Sequence, residues 1–311
     1  MPAARVVWIT LPRSVLGVLK RFAVYLPSQY SRDAGPFPVL YLFRGHETEW
    51  LGNQDDRYGL VRLLNGMMDQ GHVQPMVVVM PGFMETNRET QGIPVNWSEN
   101  GRSRGVGNGR MEDHFFEVKA QVEKDFAVRR DRGGVALDGF SMGGYSAVLL
   151  GTRYPRLFGS VGAYDGSFMW PGQIDPRRKP AGRACKLWFS ETCSPFFRRD
   201  GVWDRLKMER HNPIAITRMA RGERLLALRS VAFHVRAAGA ETSGNVDRCQ
   251  ALDEVFAARG LRNSFRKRLR FDDDARHTWA WADRHLTETL RLHDAVFTGS
   301  LAARHLPRRS R

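Results

Sequence analysis

The chain has 311 residues, of which 42% are hydrophobic and 26% charged. This composition is that of a globular protein, and it excludes a disordered, collagen-like or coiled-coil chain. The charge is unusual, because the formal net charge is +15 and 41 of the 48 basic residues are Arg. No block of five like charges occurs, so the sequence favours a solvated surface rich in Arg over a nucleic-acid or membrane partner.

The cysteines and the apolar runs indicate the cellular compartment of the protein. Cys185, Cys193 and Cys249 have neither the even count of a disulfide framework nor the spacing of a zinc site. The N-terminal apolar run at 6–11 ends at Pro12, and no run approaches the ~18 apolar residues of a membrane helix. We therefore expect a cytoplasmic protein without a metal centre.

Along the chain, eight short runs of β-branched and apolar residues predict strands. A short connection joins the first two runs and predicts an antiparallel pair, whereas helical segments separate the later runs, as in parallel strands with crossover helices. The sequence thus predicts an α/β fold with one mostly parallel sheet of about eight strands, flanked by helices. The predicted strands are 6–10, 22–26, 39–43, 76–80, 135–137, 160–164, 231–236 and 264–271.

Two long segments have neither strand nor helix periodicity. The segment 82–110 is rich in Gly, Asn, Arg and Ser, and 171–229 is rich in aromatic residues. Loops of this length in a compact domain are usually functional, and the aromatic residues make the second unsuitable as a solvated linker. We expect 1–311 to form a single domain, with 171–229 an insertion that caps a pocket and 298–311 a basic C-terminal tail.

A candidate nucleophile lies where the predicted strand 135–137 gives way to a helical segment. The pattern there is Gly-x-Ser-x-Gly, with Gly139, Ser141 and Gly143. At a strand-to-helix junction this pattern is a nucleophile elbow, in which the turn leaves no room for a Cβ on either side of the serine. The helix that follows also directs its free amides towards the site. The sequence predicts Ser141 as the nucleophile.

A serine nucleophile needs a base, which in this elbow context follows the serine and an acid along the chain. His277 comes after the last predicted strand and directly before a predicted helix, where such a base is expected. The other histidines after the serine fall on a strand, the C-terminal helix, the tail or the insertion. The sequence therefore predicts His277 as the base over His211, His234, His285, His293 and His305.

Three carboxylates compete for the role of the acid. Glu241 is the first carboxylate after the predicted strand 231–236. Asp247 follows it in what should be the first turn of a helix, where the helix dipole alone accounts for an acidic residue. Asp165 follows the strand 160–164. It is the third candidate, because some enzymes of this architecture place the acid one strand earlier. On the residues alone we favour Glu241, then Asp247, then Asp165.

Acyl transfer also needs donors for the oxyanion. The backbone amide of Met142, after the nucleophile, is one candidate, and the loop after strand 39–43 offers the amide of His46 as the second. Arg44 in the same loop is a candidate contact for an anionic substrate. Trp97 and Trp170 are candidates for contact with an apolar or aromatic substrate group.

Further motifs follow one another in a consistent order: Val24-Tyr25-Leu26-Pro27, Pro38-Val39-Leu40-Tyr41-Leu42-Phe43-Arg44-Gly45, the elbow, Tyr154-Pro155 and Phe158-Gly159. They resemble the putative-esterase family of α/β-hydrolases, which includes esterase D, enterochelin esterases, feruloyl esterases and mycolyltransferases. The stretch 165–170 is similar to the Ser-Gly-Ser-Phe-Trp-Trp of enterochelin-esterase-like members, and His277-Thr278-Trp279 to the family's His-x-Trp. The resemblance runs from about 21 to 290.

The resemblance implies an α/β-hydrolase fold and a triad of Ser141, Glu241 and His277, with the amides of His46 and Met142 as the oxyanion hole. Two features differ from the family: Arg44 stands where His or Asp is usual, and the family's acid is more often Asp than Glu.

The expected function is a cofactor-independent serine hydrolase that acts on a small-molecule carboxylic ester. An acyltransferase with the same triad and an alcohol acceptor is the first alternative. A non-catalytic or nucleic-acid-binding protein on a hydrolase scaffold, suggested by the net charge of +15, is the second.

Overall fold

The central sheet of the protein, in a computed structural model, has seven strands. It consists of β1 (Arg5–Leu11), β2 (Lys20–Leu26), β3 (Val39–Phe43), β4 (Val77–Met80), β5 (Val135–Gly139), β6 (Ser160–Tyr164) and β9 (Ala232–Arg236), while β7 (Arg198–Arg199) and β8 (Val202–Trp203) form a separate ribbon. The structure describes residues 3–44, 46, 48–52, 59–83, 92–98, 106–169, 187–240 and 245–303.

The strand order is β1-β2-β4-β3-β5-β6-β9. The pairs β1/β2 and β2/β4 are antiparallel, and the other pairs are parallel. The predicted mixed, mostly parallel sheet is confirmed, and so is the antiparallel first pair. The parallel strands have continuous apolar sequences because helices cover both faces of the sheet.

The predicted eighth strand, 264–271, is wrong. Its centre is a 3-10 turn at Arg266–Arg268, and the backbone around it pairs with β9 and the residue after it as isolated bridges, of Phe233 with Asn263 and of Ala237 with Arg270, rather than as a ladder. Three consecutive basic residues are exposed there. Side chains alternate between the two faces of a strand, so a regular strand would direct one of these charges into the core.

Helices lie on both faces of the sheet. Alternate residues of β3 point into two separate cores: Tyr41 packs with α2 and α3, and Leu40 with α1 and the long C-terminal helix α9. The helices are α1 (Leu60–Asp69), α2 (Met111–Asp125), α3 (Met142–Arg153), α4 (Ser194–Phe197), α5 (Arg205–Arg210), α6 (Pro213–Met219), α7 (Gly222–Arg229), α8 (Asn245–Ala258), α9 (Trp279–Phe297) and α10 (Ser300–Ala303). None of these has the length and apolar character needed to cross a membrane.

The described part of the predicted insertion, 187–229, packs on α3. Trp188 is fully buried with its ring 4.6 Å from that of Tyr145, whose hydroxyl donates to the carbonyl of His211 at 2.7 Å. These aromatic side chains extend the core over the helix that follows the nucleophile. That the segment caps a pocket stays a prediction, since 170–186 lie outside the described residues, as do 304–311 of the predicted tail.

Candidate active site

Ser141 lies at the junction of β5 and α3, as predicted for a nucleophile elbow. Its backbone has φ 58° and ψ −118°, a region that residues with a Cβ rarely occupy and that is found mainly at functional sites. The Ser141 amide donates to the carbonyl of Tyr164 at 3.0 Å, and this bond ties the strained turn to the end of β6. The Ser141 residue is 7% exposed.

The glycines on either side of Ser141 are required by close backbone contacts. A Cβ on Gly143 would lie 2.0 Å from the carbonyl oxygen of Phe43, and one on Gly139 would lie 2.4 Å from the backbone of Gly143. Both distances are far inside van der Waals contact. The absence of side chains therefore lets the end of β3 approach the start of α3.

His277 lies beside this elbow and is hydrogen-bonded to a carboxylate. Its Nδ1 is 2.5 Å from Oδ2 of Asp165, and its ring centroid is 4.6 Å from that of Phe140, the residue before the nucleophile. The Asp165 side chain is fully buried and that of His277 is 31% exposed. The carboxylate thus meets Nδ1, and Nε2 is the other ring nitrogen of His277.

Asp165 is held by the ends of two neighbouring strands. It follows β6 with φ 45°, a left-handed conformation that Asp tolerates better than most residues. Its amide donates to the carbonyl of Arg236 at 2.7 Å, and its Oδ1 accepts from the amide of Ala238 at 3.1 Å. The carboxylate is thus fixed before any substrate binds.

The other two candidate acids are not seen at this position. Glu241, the first choice from the sequence, lies outside the described residues. Asp247 is exposed in the first turn of α8, where its charge complements the helix dipole as expected. The carboxylate that the structure describes next to His277 is that of Asp165, which ranked last on the sequence.

Asn245 is a site residue that the sequence reasoning missed. Its Nδ2 donates to Oδ2 of Asp165 at 3.0 Å and lies 3.4 Å from Nδ1 of His277. Asn is a common residue at the start of a helix, so its position as the first residue of α8 gave no separate signal. Its amide adds a second donor to the oxygen that binds the imidazole.

Tyr164 was also missed, because it reads as an ordinary apolar residue of β6. Its hydroxyl donates to the carbonyl of Arg276 at 2.7 Å, directly before His277. Its ring stacks on Phe140 with 5.6 Å between centroids. Tyr164 therefore contacts the neighbours of both the nucleophile and the base, and it is itself adjacent to Asp165.

The predicted oxyanion donors differ in their surroundings. Met142 is the first residue of α3, where amides have no acceptor within the helix. The amide of His46 instead donates to Oε2 of Glu49 at 2.7 Å, while Nδ1 of His46 accepts from the amide of Thr48 at 3.2 Å. The first of these bonds occupies the His46 amide with the Glu49 carboxylate. For the His46 amide to bind an oxyanion, the Glu49 carboxylate would have to release it.

The profile of the family described as "Putative esterase" matches residues 15–187, more than half of the chain. The chain belongs to this esterase family.

Curated relatives align in sequence with about half of this chain. Esterase MT1326 of Mycobacterium tuberculosis (strain CDC 1551 / Oshkosh) is 30% identical over 46% of this chain, and the match covers 28% of that esterase. YbbA of Bacillus subtilis (strain 168) is 27% identical over 49% of this chain and 58% of its own. The chain thus spans less than two thirds of these relatives.

Two solved structures show the α/β-hydrolase fold of the family. A ferulic acid esterase superposes with a TM-score of 0.68 over 96% of this chain and 100% of its own, at 22% identity. An S-formylglutathione hydrolase from Agrobacterium tumefaciens superposes with a TM-score of 0.69 over 96% and 97%, at 16% identity.

Of the predicted substrate contacts, Arg44 lies close to the site. Its guanidinium lies 5.0 Å from the ring centroid of Phe140 and 5.5 Å from that of Trp279, and Nε is 3.6 Å from Oε1 of Glu49. Phe140 directly precedes Ser141, and Trp279 is two residues after His277. Arg44 and Glu49 therefore form a charged pair beside the predicted oxyanion loop.

Trp97 packs away from these groups. Its ring meets Phe196 edge-on at 6.2 Å, and a Cβ on Gly109 would lie 2.3 Å from it. These contacts join the 92–98 segment to the insertion and make Trp97 a packing residue here. Trp170 lies outside the described residues.

A second polar network lies beneath the site. Ser160 Oγ is 2.9 Å from Nε2 of His234 and 2.6 Å from Nδ1 of His293, whose Nε2 is 3.1 Å from Oδ2 of Asp138. Burial would raise the pKa of Asp138, but the bond from His293 and the nearby histidines lower it overall. Burial lowers the pKa of His234 well below its usual value. These histidines are enclosed in the core, in agreement with the choice of His277 as the base.

Proposed function

We propose that the protein is a serine hydrolase that cleaves a small-molecule carboxylic ester, with Ser141 as nucleophile, His277 as base and Asp165 as acid. The observation that carries the proposal is the 2.5 Å contact between His277 and a buried Asp165 beside the strained Ser141. Asp165 takes the place of Glu241 because its carboxylate meets the imidazole. Membership of the esterase family supports the same reaction.

In the proposed reaction, Oγ of Ser141 attacks the acyl carbon while Nε2 of His277 takes the hydroxyl proton. The Asp165 carboxylate keeps the proton on Nδ1 and stabilises the imidazolium that forms. The amide of Met142 stabilises the oxyanion, together with that of His46 once Glu49 releases it. The imidazolium then protonates the leaving alcohol. Water, activated by the same imidazole, attacks the acyl-enzyme and frees the carboxylic acid, with no cofactor.

The relatives suggest which esters to test. Solved structures similar to this chain include ferulic acid esterases, one of them in complex with ferulic acid. The aromatic rings of Phe140 and Trp279 around Arg44 suit an aromatic acyl group that carries a polar or anionic substituent. We expect kcat/KM to be higher for methyl ferulate than for methyl esters of unbranched fatty acids.

The first test is covalent labelling with a fluorophosphonate probe, which reacts with activated serines. Wild type should be labelled and should hydrolyse an activated aryl ester, whereas Ser141→Ala should do neither. Ser167→Ala is the matched control, because its hydroxyl lies 3.4 Å from that of Ser141 and should not form the adduct. Labelling that persists in Ser141→Ala would refute the assignment.

A further inference from the structure

A cavity of about 460 Å³ lies at the end of α3 that is remote from Ser141. The helix has 12 residues, so at ~1.5 Å per residue its two ends are ~18 Å apart. This cavity is therefore separate from the candidate active site. Its lining combines four arginines with apolar side chains: Arg153, Arg210, Arg221, Arg224, Tyr154, Ile216, Met219 and Ala220.

Among the described residues, ion pairing distinguishes one of the four arginines from the other three. Arg153 is paired with Glu112, whose Oε1 is 2.8 Å from its Nε. Within the described ranges, Arg210, Arg221 and Arg224 form no ion pair.

Two of these three side chains are held in place by backbone carbonyls. Arg221 donates to the carbonyls of Arg218 and Ala220, both at 2.9 Å, and Arg224 to that of Thr152 at 3.4 Å. Such bonds orient a guanidinium but leave its positive charge in place.

The pKa of the nearby His211 reflects the same positive charge. Burial lowers this pKa to about 3, and the charges of Arg153, Lys207 and Arg210 lower it further. An anion bound here would meet a field that already disfavours further positive charge.

The apolar part of the lining would be of no use to a simple inorganic anion. Ile216 and Ala220 form a buried floor, and Met219 is 52% exposed at the rim. The Tyr154 ring lies 5.6 Å from the Arg153 guanidinium. A volume of this size is typical of small-molecule sites, and guanidinium groups bind carboxylate, sulfonate and phosphate oxygens in pairs.

We propose that this cavity binds a small amphipathic organic anion, whose acidic group pairs with Arg210, Arg221 and Arg224 while its aryl or alkyl part packs on Ile216 and Met219. The proposal is independent of the esterase reaction, because the cavity and Ser141 lie at opposite ends of α3. The clustering also gives part of the net charge of +15 a specific location.

The test uses 8-anilinonaphthalene-1-sulfonate, an aryl sulfonate that fluoresces when bound, on the full chain after Ser141 has reacted with a fluorophosphonate. Blocking the serine removes binding at the active site from the signal; if the serine does not react, Ser141→Ala is used. We expect saturable binding, weakened at least tenfold in Arg210→Gln/Arg221→Gln. The uncharged analogue N-phenyl-1-naphthylamine should bind more weakly to wild type and be unaffected by these substitutions.

The matched control is Arg5→Gln/Arg13→Gln, which removes the same charge at exposed positions in and after β1. It should bind the sulfonate like wild type, and the thermal unfolding of both double variants should match that of wild type. Equal affinity in wild type and Arg210→Gln/Arg221→Gln would overturn the proposal, as would equal weakening in the control. A single-stranded oligonucleotide that binds this face when the sulfonate does not would also overturn it, in favour of a nucleic-acid surface.

Discussion

Three hydrogen bonds from described residues hold the Asp165 carboxylate, and they involve both of its oxygens. Oδ1 accepts from the amide of Ala238, and Oδ2 accepts from Asn245 and His277. A carboxylate that is bonded on both oxygens cannot rotate away from the imidazole. At the scale of the residue, this fixed orientation is what makes Asp165 the proposed acid.

The choice of acid can be tested by comparing two amide substitutions. Asp165→Asn keeps the size of the side chain but no longer stabilises the imidazolium, and it should lower kcat by about 10⁴. Glu241→Gln should stay within about threefold of wild type, since the proposal gives this carboxylate no part in holding the imidazole. Steady-state hydrolysis of one aryl ester measures both. The opposite ranking would restore Glu241 as the acid.

The hydroxyl of Tyr164 is expected to position His277 through the carbonyl of Arg276. Tyr164→Phe removes that bond and keeps the ring, so we expect kcat to fall about tenfold, which corresponds to about 1.4 kcal/mol, while KM stays unchanged. Tyr25→Phe is the control, because it deletes a similar hydroxyl bond, to Asn65 at 2.8 Å, far from the site. Equal effects of both variants on kcat would mean that the Tyr164 bond only stabilises the fold.

At the scale of the element, the elbow depends on how closely β3 approaches α3. Gly143→Ala would place a methyl group 2.0 Å from the Phe43 carbonyl, and neither backbone can yield without moving a strand. We expect the free energy of unfolding to fall by about 2 kcal/mol or more, measured by urea denaturation.

The control for this element is Gly66→Ala in α1, where an added Cβ would meet nothing within 4 Å. Ala is the better helix former by about 1 kcal/mol, so this variant should be more stable than wild type. A Gly143→Ala protein as stable as wild type would contradict the close contact proposed for the elbow.

At the scale of the whole molecule, buried histidines link stability to pH. His285 is enclosed by the rings of Tyr164, Phe265 and Phe271, and burial lowers its pKa to about 4. The unfolded chain, with a pKa near 6.5 for this group, binds the proton more readily than the native one. The contribution of His285 to stability is therefore full above about pH 6.5 and is lost as the pH falls towards 4.

The magnitude follows from linkage at 1.36 kcal/mol per pKa unit. Protonation of His285 should cost about 3 kcal/mol of the free energy of unfolding between pH 7 and 4. His285→Phe keeps an aromatic ring in the cluster and removes the titration, so the difference between variant and wild type should grow in favour of the variant as pH falls. Parallel stability curves from urea denaturation at pH 7, 6 and 5 would contradict this account.

Most of the architecture could be predicted from the sequence. The seven strands of the sheet fall in predicted runs because a strand buried on both faces must be apolar along its length. The eighth prediction failed at Arg266, Lys267 and Arg268. Apolar residues on either side of these three suggested a strand, but three consecutive charged side chains cannot alternate between a buried and an exposed face. The bond from the His46 amide to the Glu49 carboxylate could not be predicted either, since it depends on the path of one turn.

The sequence by itself was enough to propose the nucleophile and the base, because their signals are local. The strand, the Gly-x-Ser-x-Gly turn and the helix around Ser141 are contiguous, and His277 stands just before its own helix. The proposed acid emerged only from the tertiary structure. Asp165 and His277 are 112 positions apart, and their contact depends on the paths of the chain after β6 and β9 and on a left-handed backbone at Asp165. Neither chain path is encoded in a short motif, so only the folded protein reveals the pairing.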